Sequence, residues 1–100
     1  MMIDDNIKLS VCMTTYNHEL YVKQAVDSVL TQKVNFNYEL IIGDDASTDD
    51  TQKILSDNYG NDPRVTLILQ KVNLYHKMDR PNNSYFVRER VKGKYVISIE

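Results

Sequence analysis

The sequence predicts one α/β domain with a Rossmann-like, mainly parallel, doubly wound sheet. Short apolar runs alternate with helical stripes in the order β-α-β-α-β-α-β along the 100 residues. Strands that are separated by helices pair in parallel through right-handed crossovers. With 42% hydrophobic and 26% charged residues, the composition fits an ordinary globular domain of this length, which has a modest core.

The first strand and helix are predicted from a change of hydrophobic period. Apolar residues alternate with polar ones over residues 7–14, and the run becomes dense enough at its end to be buried on both faces. Residues 19–32 then carry the apolar stripe of an amphipathic helix. Asn17 precedes this stripe, and we expect its side chain to cap the helix. The stripe consists of Val22, Val26, Val29 and Leu30, with Ala25 beside it.

The middle of the sequence predicts a second strand, an acidic loop and a second helix. Residues 38–43 are a short apolar run, and residues 44–51 are rich in the Asp, Ser and Thr that start helices. The helix is predicted over residues 50–59, with Ile54 and Leu55 facing inward. The following segment ends it, because glycine suits a C-cap and proline cannot continue a helix.

The last third predicts two more strands and a short helix between them. A third strand is predicted over residues 65–69, and residues 70–82 are polar and irregular. A weak helix over residues 84–92 ends before Gly93, and residues 95–99 form the fourth strand. Ligands of doubly wound sheets bind beyond the carboxyl ends of the strands. Three segments should therefore meet at one rim: residues 14–18, 44–50 and 70–77.

Composition and motifs exclude several functional classes. A net charge of −2 gives no basis for binding nucleic acid or an anionic membrane, and one cysteine excludes a disulfide framework. We expect neither a signal peptide nor a transmembrane segment, and the 100 residues contain no dinucleotide fingerprint and no P-loop. The acidic loop lacks the glycine and the bidentate glutamate of an EF-hand. We expect a cytoplasmic protein in which Cys12 is a buried apolar side chain.

Charge is distributed unevenly along the chain. Residues 1–70 carry 5 basic and 11 acidic groups, a net charge of −6, whereas residues 71–100 carry 7 basic and 3 acidic groups, a net charge of +4. Solvated surface charge explains this pattern. The alternative is an acidic loop and a basic segment that face one ligand holding both a metal and phosphates.

Two neighbouring carboxylates, Asp44 and Asp45, end the second predicted strand. Successive side chains of a strand point to opposite faces, so one carboxylate can face the ligand rim while the other braces the loop. A carboxylate at this rim can accept a hydrogen bond from a nucleobase N–H or approach a metal. Helix capping in a solvated turn is the alternative interpretation.

Four segments together resemble the start of a family 2 glycosyltransferase with the GT-A fold. The resemblance covers nearly the whole chain and corresponds to the N-terminal, nucleotide-sugar-binding half of that family's catalytic domain, so residues 1–100 are interpreted as a truncated GT-A domain. The segments are Val11-Cys-Met-Thr-Thr-Tyr-Asn17, Ala25-Val-Asp-Ser-Val-Leu-Thr-Gln32, Tyr38-Glu-Leu-Ile-Ile-Gly-Asp-Asp-Ala-Ser-Thr-Asp-Asp-Thr51 and Gly93-Lys-Tyr-Val-Ile-Ser-Ile99.

The resemblance implies roles for five residues in binding the nucleotide. Thr14 and Tyr16 match the turn that holds the uridine, where the tyrosine ring lies against the base. Asn17 matches the residue that orders this turn and caps the helix. Asp45 matches the aspartate that binds the uracil edge, and Asp44 has a supporting role.

Other positions are interpreted as structural or depart from the family's pattern. Ser47, Thr48 and Asp49 match the Ser-Thr-Asp that starts the next helix, and their role is interpreted as mostly structural. Asn73 is kept after the third strand, but the glycine that usually follows it is not. Lys77 or Arg80 could supply a cation for the diphosphate, although both are more typical of solvated surface.

The resemblance also implies a metal, substrates and a reaction. The family's Asp-x-Asp holds Mg²⁺ or Mn²⁺, and its position is expected after Glu100. The implied reaction is inverting transfer from a nucleotide-diphosphate sugar, UDP-linked, to a saccharide or lipid-linked acceptor in surface polysaccharide or glycoconjugate synthesis. No catalytic residue and no metal ligand is assigned within the 100 residues, which we expect to be inactive alone.

Two functions other than glycosyl transfer are possible interpretations of the chain, and one oligomeric state is predicted. The chain could be a non-catalytic module that binds a nucleotide weakly. A phospho-acceptor domain is disfavoured, because such domains carry an acidic pair after the first strand, where this chain has Thr14-Thr-Tyr16. The apolar last strand would be an exposed edge, so pairing with a second copy of the chain is expected.

Overall fold

A four-stranded, wholly parallel sheet with helices on both faces organises the chain. The computed structural model describes residues 6–73 and 83–99. The sheet order is β3-β2-β1-β4, so the chain adds two strands on one side of β1 and then returns to its other side. The elements are β1 (Leu9–Thr15), α1 (Val22–Leu30), β2 (Tyr38–Asp44), α2 (Thr51–Tyr59), β3 (Val65–Leu69), α3 (Asn83–Arg88) and β4 (Tyr95–Ile99).

Every strand and helix that was predicted within the described residues is present, which confirms the doubly wound α/β class. The bounds of β3 and β4 are as predicted, and the other elements differ from the prediction at their ends. The helices α1 and α3 are shorter than their patterns suggested. Gly60 is the C-cap of α2 as predicted, but with φ −59° it ends the helix in a right-handed conformation.

The two faces of the sheet form two apolar clusters. The cluster beneath α1 and α2 is built on alternate residues of the central strands, and the other alternation faces α3. Consequently Val11, Cys12 and Met13 are all buried, as predicted for the second half of β1. The first cluster contains Val11, Met13, Val22, Val26, Leu40, Ile42, Leu55 and Tyr59, and the second contains Cys12, Ile41, Val87 and Val91.

The predicted cap of α1 by Asn17 is wrong. The helix begins five residues later, after a turn in which the Val22 N–H donates to the His18 carbonyl (2.7 Å), and no side chain caps it. Asn17 has φ +52°, a left-handed conformation that asparagine tolerates. Its side chain bonds instead to the loop after β2, as described below.

The turn into β4 is held by a buried polar network. The Gly93 N–H donates to Ser10 Oγ (2.8 Å), and the Ser10 hydroxyl donates to Glu39 Oε2 (2.5 Å). The Lys92 N–H donates to the same carboxylate oxygen (2.7 Å). These bonds satisfy a buried glutamate and fix the turn against β1, which lets β4 pair alongside.

The strand β4 forms one edge of the sheet among the described residues. Its side chains Tyr95, Val96 and Ile97 are about half exposed. Pairing of this edge with a second copy of the chain stays a prediction. Within the described part of the chain, no helix has the length and apolar character that crossing a membrane requires.

Replacing Gly93 by alanine should destabilise the fold. A Cβ at this position would lie 2.6 Å from Ser10 Oγ, 2.7 Å from Ser10 N and 2.8 Å from the Leu9 carbonyl carbon. Two of these atoms belong to the backbone of β1 and cannot rotate away. We expect Gly93→Ala to lower the free energy of unfolding by about 2 kcal/mol, measured by urea denaturation. The exposed neighbour supplies the control, and Lys94→Ala with an equal loss would contradict the steric argument.

Tyr59 should make stability fall at alkaline pH. Its hydroxyl donates to Asp27 Oδ1 (2.7 Å) and joins α2 to α1. Burial, and then this hydrogen bond, raise the pKa of the Tyr59 phenol. A raised pKa means that the fold favours the neutral phenol. The contribution is therefore fully present below the unfolded pKa of about 10, and it is lost progressively as pH rises from there through the raised pKa of the folded state.

We expect Tyr59→Phe to lower the free energy of unfolding by about 1 kcal/mol at neutral pH. The variant should also flatten the decline in stability above about pH 10. Urea denaturation at several pH values measures both effects, with Tyr21→Phe, whose side chain is exposed, as the control. An unchanged alkaline decline in Tyr59→Phe would refute this role.

Candidate functional site

The candidate site lies at the carboxyl end of the sheet, where the strand order reverses. All strands run in parallel, so the loops after β1, β2 and β3 emerge at the same edge. The residue Thr15 is paired in register with Asp44, which brings the ends of β1 and β2 side by side. The reversal lies between β1 and β4, the position at which such sheets bind ligands.

The carboxylate of Asp44 is the centre of this edge. It is completely buried, with 0% of the residue exposed. The Thr15 and Ser47 hydroxyls donate to Oδ1, both at 2.6 Å. The Ser47 N–H and the Gln52 side-chain amide donate to Oδ2, both at 2.9 Å. Four hydrogen bonds to two oxygens match the acceptor capacity of a carboxylate, so this charge is compensated by β1, the loop and α2 together.

Asn17 joins the loop after β1 to the loop after β2. Its N–H donates to Ser47 Oγ (2.8 Å), and its side-chain oxygen accepts from the Thr48 N–H (2.8 Å). Since the Ser47 hydroxyl also donates to Asp44, Asn17 is tied to the buried carboxylate through one intervening side chain. Asn17 therefore joins the two loops, and its role in ordering the turn around a nucleotide stays a prediction.

A second set of hydrogen bonds joins residues 18–19 to residues 49–51. The His18 N–H donates to Thr51 Oγ1 (2.9 Å). The Glu19 N–H donates to Asp49 Oδ2, and the Asp50 N–H returns a bond to Glu19 Oε2, both at 3.2 Å. Desolvation opposes ionisation of Asp49, but hydrogen bonds from the Thr51 hydroxyl and amide and from Glu19 outweigh it and lower the pKa of Asp49.

Asp44 and the four hydrogen bonds that its carboxylate accepts are called the Asp44 clamp. Asp45 follows Asp44, is buried, and has a backbone that is held from two sides. Its N–H donates to the Thr15 carbonyl (3.0 Å), and its carbonyl accepts from the Asn73 side-chain amide (3.4 Å). The next residue, Ala46, has φ +56°, which turns the chain sharply after the strand. Thus the end of β2 is fixed relative to the loops after both β1 and β3.

Thr14 and Tyr16 lie at the end of β1, on the same edge. Tyr16 is 45% exposed, and its N–H donates to His18 Nδ1 (3.3 Å). Thr14 is partly buried and borders a cavity of about 290 Å³ at the strand reversal. The other residues lining this cavity are Met13, Thr15, His18, Tyr21, Val22, Ala25 and Ile99.

The structure brings the five predicted site residues to one edge and ties three of them to its hydrogen-bonded centre. Asp44 has the bracing position and Asn17 joins the two loops, while the backbone of Asp45 is fixed between Thr15 and Asn73. Lys77 and Arg80 lie outside the described residues. No group of three or more His, Cys, Asp or Glu side chains in residues 6–73 and 83–99 is arranged to hold a metal.

The sequence did not indicate the roles of Thr15 and Gln52. Nothing in the sequence distinguishes Thr15 from other strand threonines. It can donate to Asp44 only because the two residues are paired in the register of β1 and β2. Gln52 follows the first residue of α2, and side chains in a first turn lean back toward the preceding loop. This direction of the Gln52 side chain, together with a buried aspartate before the helix, is the signal that could have indicated its role.

Substitutions of Asp44 should destabilise the chain in a graded way. Asp44→Ala leaves four donors without an acceptor and should lower the free energy of unfolding by about 3 kcal/mol or more. Asp44→Asn should cost roughly half as much, because an amide on the Oδ1 side can donate to the Thr15 and Ser47 hydroxyls, which can reverse. Chemical denaturation measures both. Equal losses would mean that the negative charge, and not the hydrogen-bond geometry, is required.

Comparisons of the sequence with known proteins find a matching family and similar proteins. The family model for glycosyl transferase family 2 matches residues 10–97. Chondroitin synthase from Escherichia coli is 43% identical over 63 residues, which are 63% of this chain and 9% of that protein. A GalNAc(5)-diNAcBac-PP-undecaprenol beta-1,3-glucosyltransferase from Campylobacter jejuni is 27% identical over 93 residues, which are 93% of this chain and 29% of that protein.

A solved structure shares the fold. The structure of S. aureus TarS 1-349 in complex with UDP-GlcNAc superposes with a TM-score of 0.75 and 25% identity, over 93% of this chain and 26% of that chain. This chain therefore spans less than a third of the length of these three proteins. Since the family model covers most of the chain and the parallel sheet matches the GT-A structure, the chain belongs to glycosyl transferase family 2.

Proposed function

We propose that the chain forms the nucleotide-sugar site of a glycosyltransferase, as the N-terminal half of a GT-A catalytic domain. The observation that carries the proposal is the Asp44 clamp. It joins the loops after β1 and β2, beside the strand reversal between β1 and β4, and these loops carry Tyr16 and Asp45. The UDP-GlcNAc complex of the structural relative supports a UDP-linked sugar as the ligand.

Each residue of the edge has a chemical task in this proposal. The exposed ring of Tyr16 stacks on the uracil, since aromatic side chains bind bases through their faces. The carboxylate of Asp45, a buried residue, accepts the uracil N3–H, and this hydrogen bond discriminates against a base that lacks the donor. Thr14 contacts the uridine, and Asn17 orders the turn through its hydrogen bonds with Ser47 and Thr48. Asp44 binds no ligand and holds the other groups in place.

The proposed reaction inverts the configuration of the anomeric carbon of the sugar. A base outside the described residues takes the proton of the acceptor hydroxyl, whose oxygen bonds to that carbon as the bond to the nucleoside diphosphate breaks on the opposite side. The described residues contribute by fixing the base and ribose, which orients the donor and removes much of the entropic barrier to attack. The expected Mg²⁺ or Mn²⁺ does not fit these residues, because they hold no ligand cluster and the Asp44 oxygens are already occupied. We propose that its ligands lie outside the described residues.

The acceptor and the cellular setting belong to the same proposal. The names of the relatives include a polysaccharide synthase and a transferase acting on an undecaprenol-linked chain, which supports a saccharide or lipid-linked acceptor in surface polysaccharide synthesis. A cytoplasmic location is supported by the single cysteine, Cys12, which is buried and unpaired with another cysteine.

Asp45 should select uracil over cytosine. Isothermal titration of the chain with UDP and with CDP measures this, because cytosine has no N3–H to donate. We expect tighter binding of UDP, and we expect Asp45→Ala, which removes the acceptor without adding a donor, to raise the Kd for UDP about tenfold or more while leaving CDP nearly unchanged. The control is Asp57→Ala, which removes an exposed carboxylate of α2. Equal loss of both nucleotides would contradict direct readout of the base by Asp45.

Repeating the UDP titration with Mn²⁺ separates a binding module from a more complete site. Weak binding that is the same with and without the metal fits a chain that holds only the nucleoside. Binding strengthened by Mn²⁺ would mean that the chain supplies metal ligands outside the described residues. If the chain binds neither UDP nor any other nucleoside diphosphate, the proposed function is wrong.

A further inference from the structure

Gln52 connects two loops of the edge that are far apart in sequence. Its side-chain nitrogen donates to Asp44 Oδ2 (2.9 Å) and to the backbone carbonyl of Gln70 (2.8 Å). Both hydrogens of the amide are therefore used. One acceptor belongs to the buried clamp and the other to the first residue after β3.

The loop after β3 is held against the end of β2 at three points. The Gln70 N–H donates to the Asp44 carbonyl (2.9 Å), which extends the pairing of β2 with β3 by one residue. Gln52 holds the Gln70 carbonyl, and the Asn73 side chain donates to the Asp45 carbonyl (3.4 Å). Because both polar groups of the Gln70 backbone are bonded, the direction in which the chain leaves β3 is fixed.

The chemistry of this position requires a double donor. The two atoms that face Gln52 are a carboxylate oxygen and a carbonyl oxygen, and both accept only. A glutamate would offer no donor and would add a second carboxylate beside Asp44. A methionine has the same length and fills the space, but it would leave one carbonyl and one carboxylate oxygen with a partner fewer.

We propose that Gln52 is a positioning residue of the nucleotide site, which sets the loop of residues 70–73 against Asp45 so that this loop forms a wall of the site. This inference rests on the proposed function, because a wall is needed only where a nucleotide binds. Gln52 touches no ligand in this arrangement and acts through Asp44 and Gln70. It therefore affects the affinity for the nucleotide by fixing the place of the loop.

Two substitutions separate positioning from space filling. Gln52→Met preserves the length and removes the donors, whereas Gln52→Lys supplies three donors on a side chain that is one bond longer. Gln32→Met is the matched control, since Gln32 is exposed just after the end of α1 and its amide donates only locally, to the Ser28 carbonyl of that helix (3.1 Å). Thermal unfolding of each variant verifies that it folds before the other measurements.

The first readout is independent of any ligand. Hydrogen exchange of the Gln70 amide, followed by NMR on the 100-residue chain, should accelerate about tenfold in Gln52→Met and remain near the unmodified rate in Gln52→Lys and Gln32→Met. Protection that survives in Gln52→Met, or that is lost equally in Gln52→Lys, would overturn the positioning role.

The second readout is the Kd for UDP. We expect Gln52→Met to raise it about five- to tenfold, with Gln52→Lys recovering most of the affinity. If the loop loses protection and the Kd does not change, the loop is not a wall of the site and the inference is wrong. Failure of the unmodified chain to bind UDP would instead refute the proposed function, and the exchange rates would still decide whether Gln52 positions the loop.

Discussion

The burial of one charge, the carboxylate of Asp44, constrains the whole edge of the sheet. A carboxylate without solvent is stable only when hydrogen-bond donors replace the water. The donors come from the end of β1, from the loop after β2 and from the first turn of α2. These elements can satisfy the charge only in one relative arrangement. The buried aspartate therefore determines where both loops begin.

The loops after β1 and β2 are held in place by the buried carboxylate although the loop after β1 is exposed to solvent. The Ser47 hydroxyl donates to Asp44 and accepts from the Asn17 N–H, so the fixed charge also fixes the turn after β1. Asn17 itself is exposed and adopts a left-handed conformation. A loop that stays open to solvent and is nevertheless held in one conformation loses little entropy when a ligand binds. Such a loop suits recognition of a small, largely planar ligand.

The elements were predictable because each depends on a local pattern, whereas the site depends on contacts between distant residues. Alternation and the helical stripe predicted β1 and α1, and strand geometry predicted that one of two adjacent aspartates would act as a brace. The cap assigned to Asn17 failed because a partner 31 residues away, Thr48, competes for its side chain. No local pattern could reveal Thr15 as a donor to Asp44, since register is set by the assembled sheet.

In the proposed site, the adjacent aspartates divide two tasks that one residue could not combine. A carboxylate that accepts four internal hydrogen bonds has no remaining capacity for a ligand, and a carboxylate that binds a ligand cannot also hold the loops when the ligand leaves. The pleat of β2 sends successive side chains in opposite directions, so neighbouring positions can serve the two purposes from one strand end. The backbone of Asp45 is then fixed by the bonds to Thr15 and Asn73, independently of its side chain. Loss of Asp44 should accordingly appear in stability first and in binding as a consequence, whereas loss of Asp45 should appear in the choice of base.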